Sequence, residues 1–256
     1  MKIDFHSHVD GKGGKLDEAS CDRLIEAADK LGIDKMCCSR PIPRGIPEPD
    51  EIREGNDYVL QAMKRYLDRI FGLCFLVPGW YRESLEELDR CLDQGMIGIK
   101  LYNQYRINDP AVFPIIEKAI DLQIPILDHA GHPVDSTTRQ RQPNISDGVH
   151  FADLARRYPE AMLVMGHIGG GGDWEWSLQA IVETPSVYAD TSGSVIDEGM
   201  IEYAVRLLGA ERLLFGCDMS EEAGVGKILA ADITEEEREA IFWRNADAIL
   251  AKRGSL

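Results

Sequence analysis

His6 and His8 stand one residue apart at the end of the run Ile3-Asp4-Phe5, ahead of a glycine-rich stretch containing Gly11, Gly13 and Gly14. On a strand, side chains two apart leave on the same face, so both imidazoles would point one way. Two neutral imidazoles suit a borderline ion such as zinc. The same spacing also occurs among packed or surface histidines, so the pair alone decides nothing. Lys100 in "GIKLY", His129 in "PILDHAG", His167 in "VMGH" and Asp218 in "FGCD" each close another short apolar run. Four of the six histidines thus stand at candidate strand ends. Together with Asp218 they form a metal-and-base set, provided the fold gathers residues as far apart as positions 6 and 218.

The elements that would gather them recur regularly. Apolar runs start near residues 3, 35, 70, 97, 125, 162, 187 and 212, a step of about 30 residues, the size of one βαβ unit. Amphipathic stretches such as "CDRLIEAADKLG", "NDYVLQAMKRYL", "SLEELDRCLDQG" and "FPIIEKAIDLQ" lie between them. In the first, Ser20 is the expected N-cap, Leu24, Ala28 and Leu31 the buried face, and Gly32 the stop. Near the end, Thr234 and Glu237 have capping-box spacing. Eight such units predict an α/β fold, a (β/α)8 TIM barrel occupying residues 1–256 as one domain. A doubly wound sheet is the alternative, and the chain has no G-x-G-x-x-G turn after the first strand to support it. In a barrel, the C-terminal strand ends share one mouth, which would bring the chemistry-bearing residues together.

Loops on that face supply candidate substrate contacts. The proline-rich segment Arg40 to Asp50 reads as a long βα loop in which Arg40 and Arg44 either face a substrate anion or are solvated. Lys100, Tyr102, Arg106, Arg139 and Arg141 are further candidates for binding a carboxylate. His132 reads as a surface-loop histidine and His150 as a helix residue outside the chemistry. The glycines of "GGGGDWEW" permit unusual backbone angles, with Trp174 and Trp176 as pocket walls or packing residues.

The balance of 44 acidic against 28 basic residues, a net charge of −16, excludes a nucleic-acid backbone or an anionic membrane as the expected partner. The expected partners are a small-molecule substrate and, at most, further copies of the chain. Six cysteines without a C-x-x-C pair read as buried thiols of a reduced compartment. With no signal-type N-terminus or long apolar run, the expectation is a cytoplasmic protein.

With "DFHSH", "GIKLY", "PILDHAG", "MLVMGHIGG", "SVYADTSG", "ERLLFGCDM" and the closing "IFWRNADAIL" in this order, the chain resembles the amidohydrolase superfamily from Ile3 to about Leu250. Within it, the resemblance is to the amidohydrolase-related group that includes aminocarboxymuconate semialdehyde decarboxylase. It implies a metal-dependent barrel enzyme with His6, His8 and His129 as ligands. Asp218 would be a ligand or a proton acceptor beside the metal, and His167 would polarise or protonate the substrate. The implied cofactor is one divalent ion, zinc or manganese, with two metals bridged by a carbamylated Lys100 as the alternative. TatD-type nucleases, which place a glutamate where Lys100 stands, fit poorly. So does the polymerase-and-histidinol-phosphatase family, which ends in an Asp-x-His pair where this chain has Asp218-Met219-Ser220.

The chemistry of such a set is consistent with these roles. A zinc-type ion lowers the pKa of bound water from 15.7 to about 7, Asp218 can accept a proton, and His167 can act as general acid or orient an oxyanion. The leading expectation is a hydrolase acting on an amide, lactone or similar small polar or carboxylate-bearing substrate. A nonoxidative decarboxylase of an aromatic or unsaturated acid is the runner-up. A metal-binding protein without turnover is the third reading.

Overall fold

The computed structural model describes residues 1–168, 170, 172–193 and 195–252. Gly169 and Gly171 of the glycine run fall outside the described residues. Eight parallel strands, β1 (Ile3–His8), β2 (Lys35–Ser39), β3 (Ile70–Phe75), β4 (Gly98–Leu101), β5 (Ile126–His129), β6 (Leu163–Gly166), β7 (Val187–Asp190) and β8 (Leu213–Leu214), pair in chain order. This is the predicted barrel, and each strand begins within one residue of its apolar run.

The helices α1 (Glu18–Leu31), α2 (Pro49–Arg65), α3 (Tyr81–Asp93), α4 (Phe113–Leu122), α5 (Ser136–Arg141), α6 (Gly148–Arg157), α7 (Trp174–Ala180), α8 (Met200–Leu208), α9 (Glu221–Ala230), α10 (Glu235–Glu239) and α11 (Asn245–Ala251) occupy the crossovers and the C-terminal end. A short hairpin, Gly11–Lys12 with Lys15–Leu16, follows β1. Among the described residues no helix is long and apolar enough to cross a membrane.

Two helix starts differ from expectation, both through acidic capping. Asp17, not Ser20, caps α1 by accepting the Ser20 N–H, while Gly32 closes the helix with φ 66° as expected. The proline-rich loop ends at Glu48, because Glu48 and Glu51 form a capping box around Pro49 and start α2 there. The Thr234–Glu237 box opens α10 as its spacing predicts.

Inside the barrel, Ile3, Phe5, Leu73, Leu127, Val164 and Leu214 pack together, and Ala246, Ile249 and Leu250 of α11 close the bottom. A larger cluster fills the layer between strands and helices. Phe5 is fully buried, so Phe5→Ala would cost about 3–5 kcal/mol. All six cysteines are free and buried.

β1 carries the device that aims the histidines. Asp4 pairs with Met36 and Ser7 with Cys38, so three steps on β1 match two on β2 and the strand holds one extra residue. This bulge resets the alternation. Phe5 thereby packs into the interior below, while His6 and His8 share the mouth above. After two paired residues, β8 leaves β7 and runs along β1. Phe5 N donates to Phe215 O at 2.8 Å and Asp218 N to His6 O at 2.7 Å, which closes the barrel and sets Asp218 against His6.

Candidate metal and catalytic site

The strand ends converge as the sequence predicts. His8 Nε2 lies 3.0 Å from Asp218 Oδ1, and His6 Nε2 lies 3.8 Å from the same atom. His167 Nδ1 is 3.6 Å from Asp218 Oδ2, and His167 Nε2 is 2.8 Å from His129 Nδ1. His167 (φ 66°), Asp218 (φ 49°) and Met219 (φ 65°) all hold left-handed backbone conformations without being glycine. Such strain persists where the surroundings enforce it and gathers at functional sites.

Lys100 departs from the expected position. It is fully buried, and its Nζ lies 2.8 Å from His6 Nε2 beneath the cavity rather than in its lining. Burial lowers its amine to about 8, against the opposing charges of Asp190, Asp218 and Asp128.

Behind the mouth is a layer that the sequence reading missed. Asp190, at the end of β7, is fully buried, and its Oδ2 lies 2.7 Å from His6 Nδ1. Its Oδ1 accepts the backbone N–H groups of His167 (3.1 Å) and Ser192 (2.8 Å) and the Ser192 hydroxyl. Ser192 Oγ in turn lies 2.9 Å from His167 Nδ1. The available signal was an acid closing a strand in phase with the other strand-end residues.

The electrostatics keep His8, His129 and His167 neutral and the two acids ionised. Burial lowers His8 to about 4 and His129 to about 3, and it drives His167 well below the ordinary range. Burial also opposes ionisation of Asp190 and Asp218. The neighbouring histidines outweigh it, His6 at Asp190 and His8, His167 and His6 at Asp218, and both carboxyls sit below the usual range. Neutral imidazoles beside an ionised carboxylate are the protonation states that metal ligation requires.

Among the described residues, His6, His167 and Asp218 each offer one ligand atom, and these atoms lie within 4.8 Å of one another. The donor set is nitrogen and oxygen without thiolate, which suits zinc or manganese. His8 and His129 adjoin this trio through the Asp218 and His167 contacts.

The open cavity above the cluster measures about 430 Å3 and is lined by His8, His129, Asp218, Arg40, Tyr102 and Pro41, among others. Tyr102 stacks on His129 with ring centroids 4.2 Å apart and planes 23° apart. Arg40 is held by Asp10 (2.8 Å) and by Pro41 O (2.9 Å). Arg44 lines a separate hollow beside the hairpin, and Arg106 and Arg139 line another with His132 and His150. Trp174 is buried and bonded to Asp197, whereas Trp176 is exposed beside His132.

The chain is 23% identical over 233 residues to 2-amino-3-carboxymuconate-6-semialdehyde decarboxylase of Dictyostelium discoideum, across 75% of this chain and 64%, less than two thirds, of that protein. Its fold is similar to that of a putative amidohydrolase from Staphylococcus aureus, with TM-score 0.77, 18% identity and coverage of 98% and 99% of the two chains. It is also similar to a dihydroxybenzoic acid decarboxylase from a Polaromonas species with bound manganese and 2-nitroresorcinol, with TM-score 0.75, 19% identity and coverage of 99% and 98%. The sequence model of the amidohydrolase family matches residues 3–252, the span that carries every strand-end residue of the cluster, and the chain belongs to that family.

Proposed function

We propose that this protein is a metal-dependent, nonoxidative decarboxylase of a small aromatic or unsaturated carboxylic acid. The observation that carries this reading is the cavity itself, whose lining combines an ionised Asp218, His8 and His129 with Tyr102, stacked on His129, and with Pro41 and Arg40. A conjugated acid fits such a lining. Its ring or double bond lies against Tyr102 while the Arg40 guanidinium pairs with an oxygen substituent. The decarboxylases among its relatives support the same reading.

A divalent ion held by His6, His8, His129 and Asp218 would supply a Lewis acid for a carboxylate or carbonyl oxygen. The remaining work falls to the protein. In decarboxylation the bond between the substrate carbon and its carboxylate breaks, the carboxylate leaves as carbon dioxide, the bonding electron pair stays in the conjugated system, and the substrate carbon that held the carboxylate takes up a proton. His167, beside Asp218 at 3.6 Å, is placed to pass that proton, and the Asp218 side chain, 32% exposed, connects the pair with solvent.

Hydrolysis is the second reading. It is favoured by the same ionised, partly open Asp218, which can take a proton from an attacking water. Metal-loaded protein incubated with dihydroxybenzoates, unsaturated diacids, lactones and amides separates the two. Carbon dioxide formed in step with the decarboxylated product is expected. Ring-opened or deamidated products without carbon dioxide would establish the hydrolase instead.

A further inference from the structure

We propose that a second hollow on the catalytic face is a carboxylate subsite that receives the far end of the substrate. It measures about 290 Å3 and is lined by Arg106, His132, Arg139, Gln142, Asp147 and His150, among others. Arg106 comes from the loop after β4, and His132, Arg139 and Gln142 come from the segment after β5. The hollow is therefore built from βα loops, as barrel active sites are.

Its charge is the first argument. The chain carries −16 overall, and Arg40, Arg65, Arg69 and Arg90 each pair with an acidic side chain. Arg106 and Arg139 instead donate to backbone, Arg106 Nη2 to Pro143 O at 3.2 Å and Arg139 Nε to Pro133 O at 2.9 Å. Among the described residues neither is paired with a carboxylate. One anchored N–H per guanidinium steadies the planar fork and leaves other donors for an oxyanion.

The acid in the lining is already engaged. Asp147 lies 3.0 Å from His132 Nδ1 and 2.8 Å from His150 Nδ1, and it accepts the Val149 N–H at 3.1 Å. A cationic concavity on an acidic protein concentrates anions locally.

Its position is the second argument. Gln142 brings the two close together, since it lines this hollow while its Oε1 lies 3.0 Å from Nε2 of His129, which lines the main cavity. A molecule whose reacting end lies against His129 and Asp218 extends past Gln142 into reach of the two arginines. The preferred substrate is therefore a dicarboxylate. The identity of the reacting end rests on the decarboxylase reading, whereas occupancy of the hollow is measured without turnover.

The test is calorimetric titration of metal-loaded protein with the dicarboxylates from succinate to suberate, each against the monocarboxylate of equal carbon count. Inorganic phosphate is titrated as a third probe. Wild type, Arg106→Ala and Arg139→Ala are compared after their thermal midpoints are shown to agree. At least one dicarboxylate is expected to bind about tenfold tighter than its monocarboxylate, a margin of about 1.4 kcal/mol. Both variants should lose that margin while monocarboxylate affinity stays within about twofold. Equal affinities in wild type, or a margin that survives both substitutions, would overturn the proposal. Arginine-dependent phosphate binding without a dicarboxylate margin would also overturn it, by making the hollow a site for a free anion. Failure to release carbon dioxide from any acid would refute the decarboxylase reading and leave the binding margin intact.

Discussion

Asp190 Oδ2 lies 2.7 Å from His6 Nδ1 in the sealed interior of the barrel. A carboxylate only accepts, so His6 carries its proton on Nδ1 and, when neutral, leaves Nε2 unprotonated between Lys100 Nζ at 2.8 Å and Asp218 Oδ1 at 3.8 Å. The Ser192 hydroxyl spends its single proton on Asp190 Oδ1, so it accepts from Nδ1 of His167 and leaves that ring's Nε2 unprotonated too. One buried acid thereby fixes the tautomers of two site histidines. Asp190→Asn is expected to lower divalent-metal affinity about 10- to 100-fold, the usual effect of losing a carboxylate that orients a ligating histidine. Competition with a fluorescent chelator measures it, and an affinity within twofold of wild type would refute the role.

His6 and His167 should separate on substitution. His6→Ala is expected to lose the metal, whereas His167→Ala should keep it and lower turnover about 10²- to 10⁴-fold, the range for a general acid or base. Metal content by elemental analysis alongside rates is the measurement. Loss of metal in His167→Ala, with activity restored by added ion, would make His167 a ligand, in keeping with its place beside His6 and Asp218.

Much of this arrangement was legible in the sequence because the barrel repeats one unit. Each apolar run gave a strand, and His129 and His167 stand at or one residue past a strand's end because the loops begin there. The rest depends on interactions that sequence spacing does not encode. The bulge between Asp4 and Ser7 is set by register against β2, and without it Phe5 and His6 could not both serve the interior. The charge of Lys100 points to a substrate contact, but β4 sets it beneath His6. Asp190 does not stand out in the sequence because its partners, His6 and Ser192, become neighbours only when the barrel closes. Arg40 reaches the main cavity and Arg44 does not, a difference of loop path rather than residue type.

Asp147 predicts a pH-dependent contribution to stability. Burial raises its carboxyl, yet the hydrogen bonds with His150 and His132 outweigh this and hold it at about 2. The folded value lies below the unfolded value of about 3.9. The stabilisation is therefore complete above about pH 4 and is lost as the pH falls through about 2. Asp147→Asn should cost about 2 kcal/mol at pH 7 and progressively less between about pH 4 and pH 2. Denaturant midpoints of both proteins across that range check it, and a constant difference would show that the charge is not the cause.

Two glycines predict opposite outcomes for the same substitution. Gly166, at the end of β6, would place a Cβ 2.7 Å from the Asp128 carbonyl oxygen and 3.3 Å from Cε1 of His6. The first contact is with the backbone of the paired strand and cannot relax by a rotamer change, and the second presses on a metal-ligand candidate. Gly166→Ala should destabilise the fold by about 1–3 kcal/mol, the usual cost of overpacking, and should weaken metal binding as well. Gly226, exposed within α9, has nothing within 4 Å of the position a Cβ would take. Alanine there removes backbone freedom from the unfolded chain and should stabilise the protein by about 0.5–1 kcal/mol with metal affinity unchanged. Thermal midpoints and metal titrations on the two variants test the contrast. A Gly166→Ala protein with wild-type stability and metal affinity would mean that β6 does not hold His6 in place through this contact.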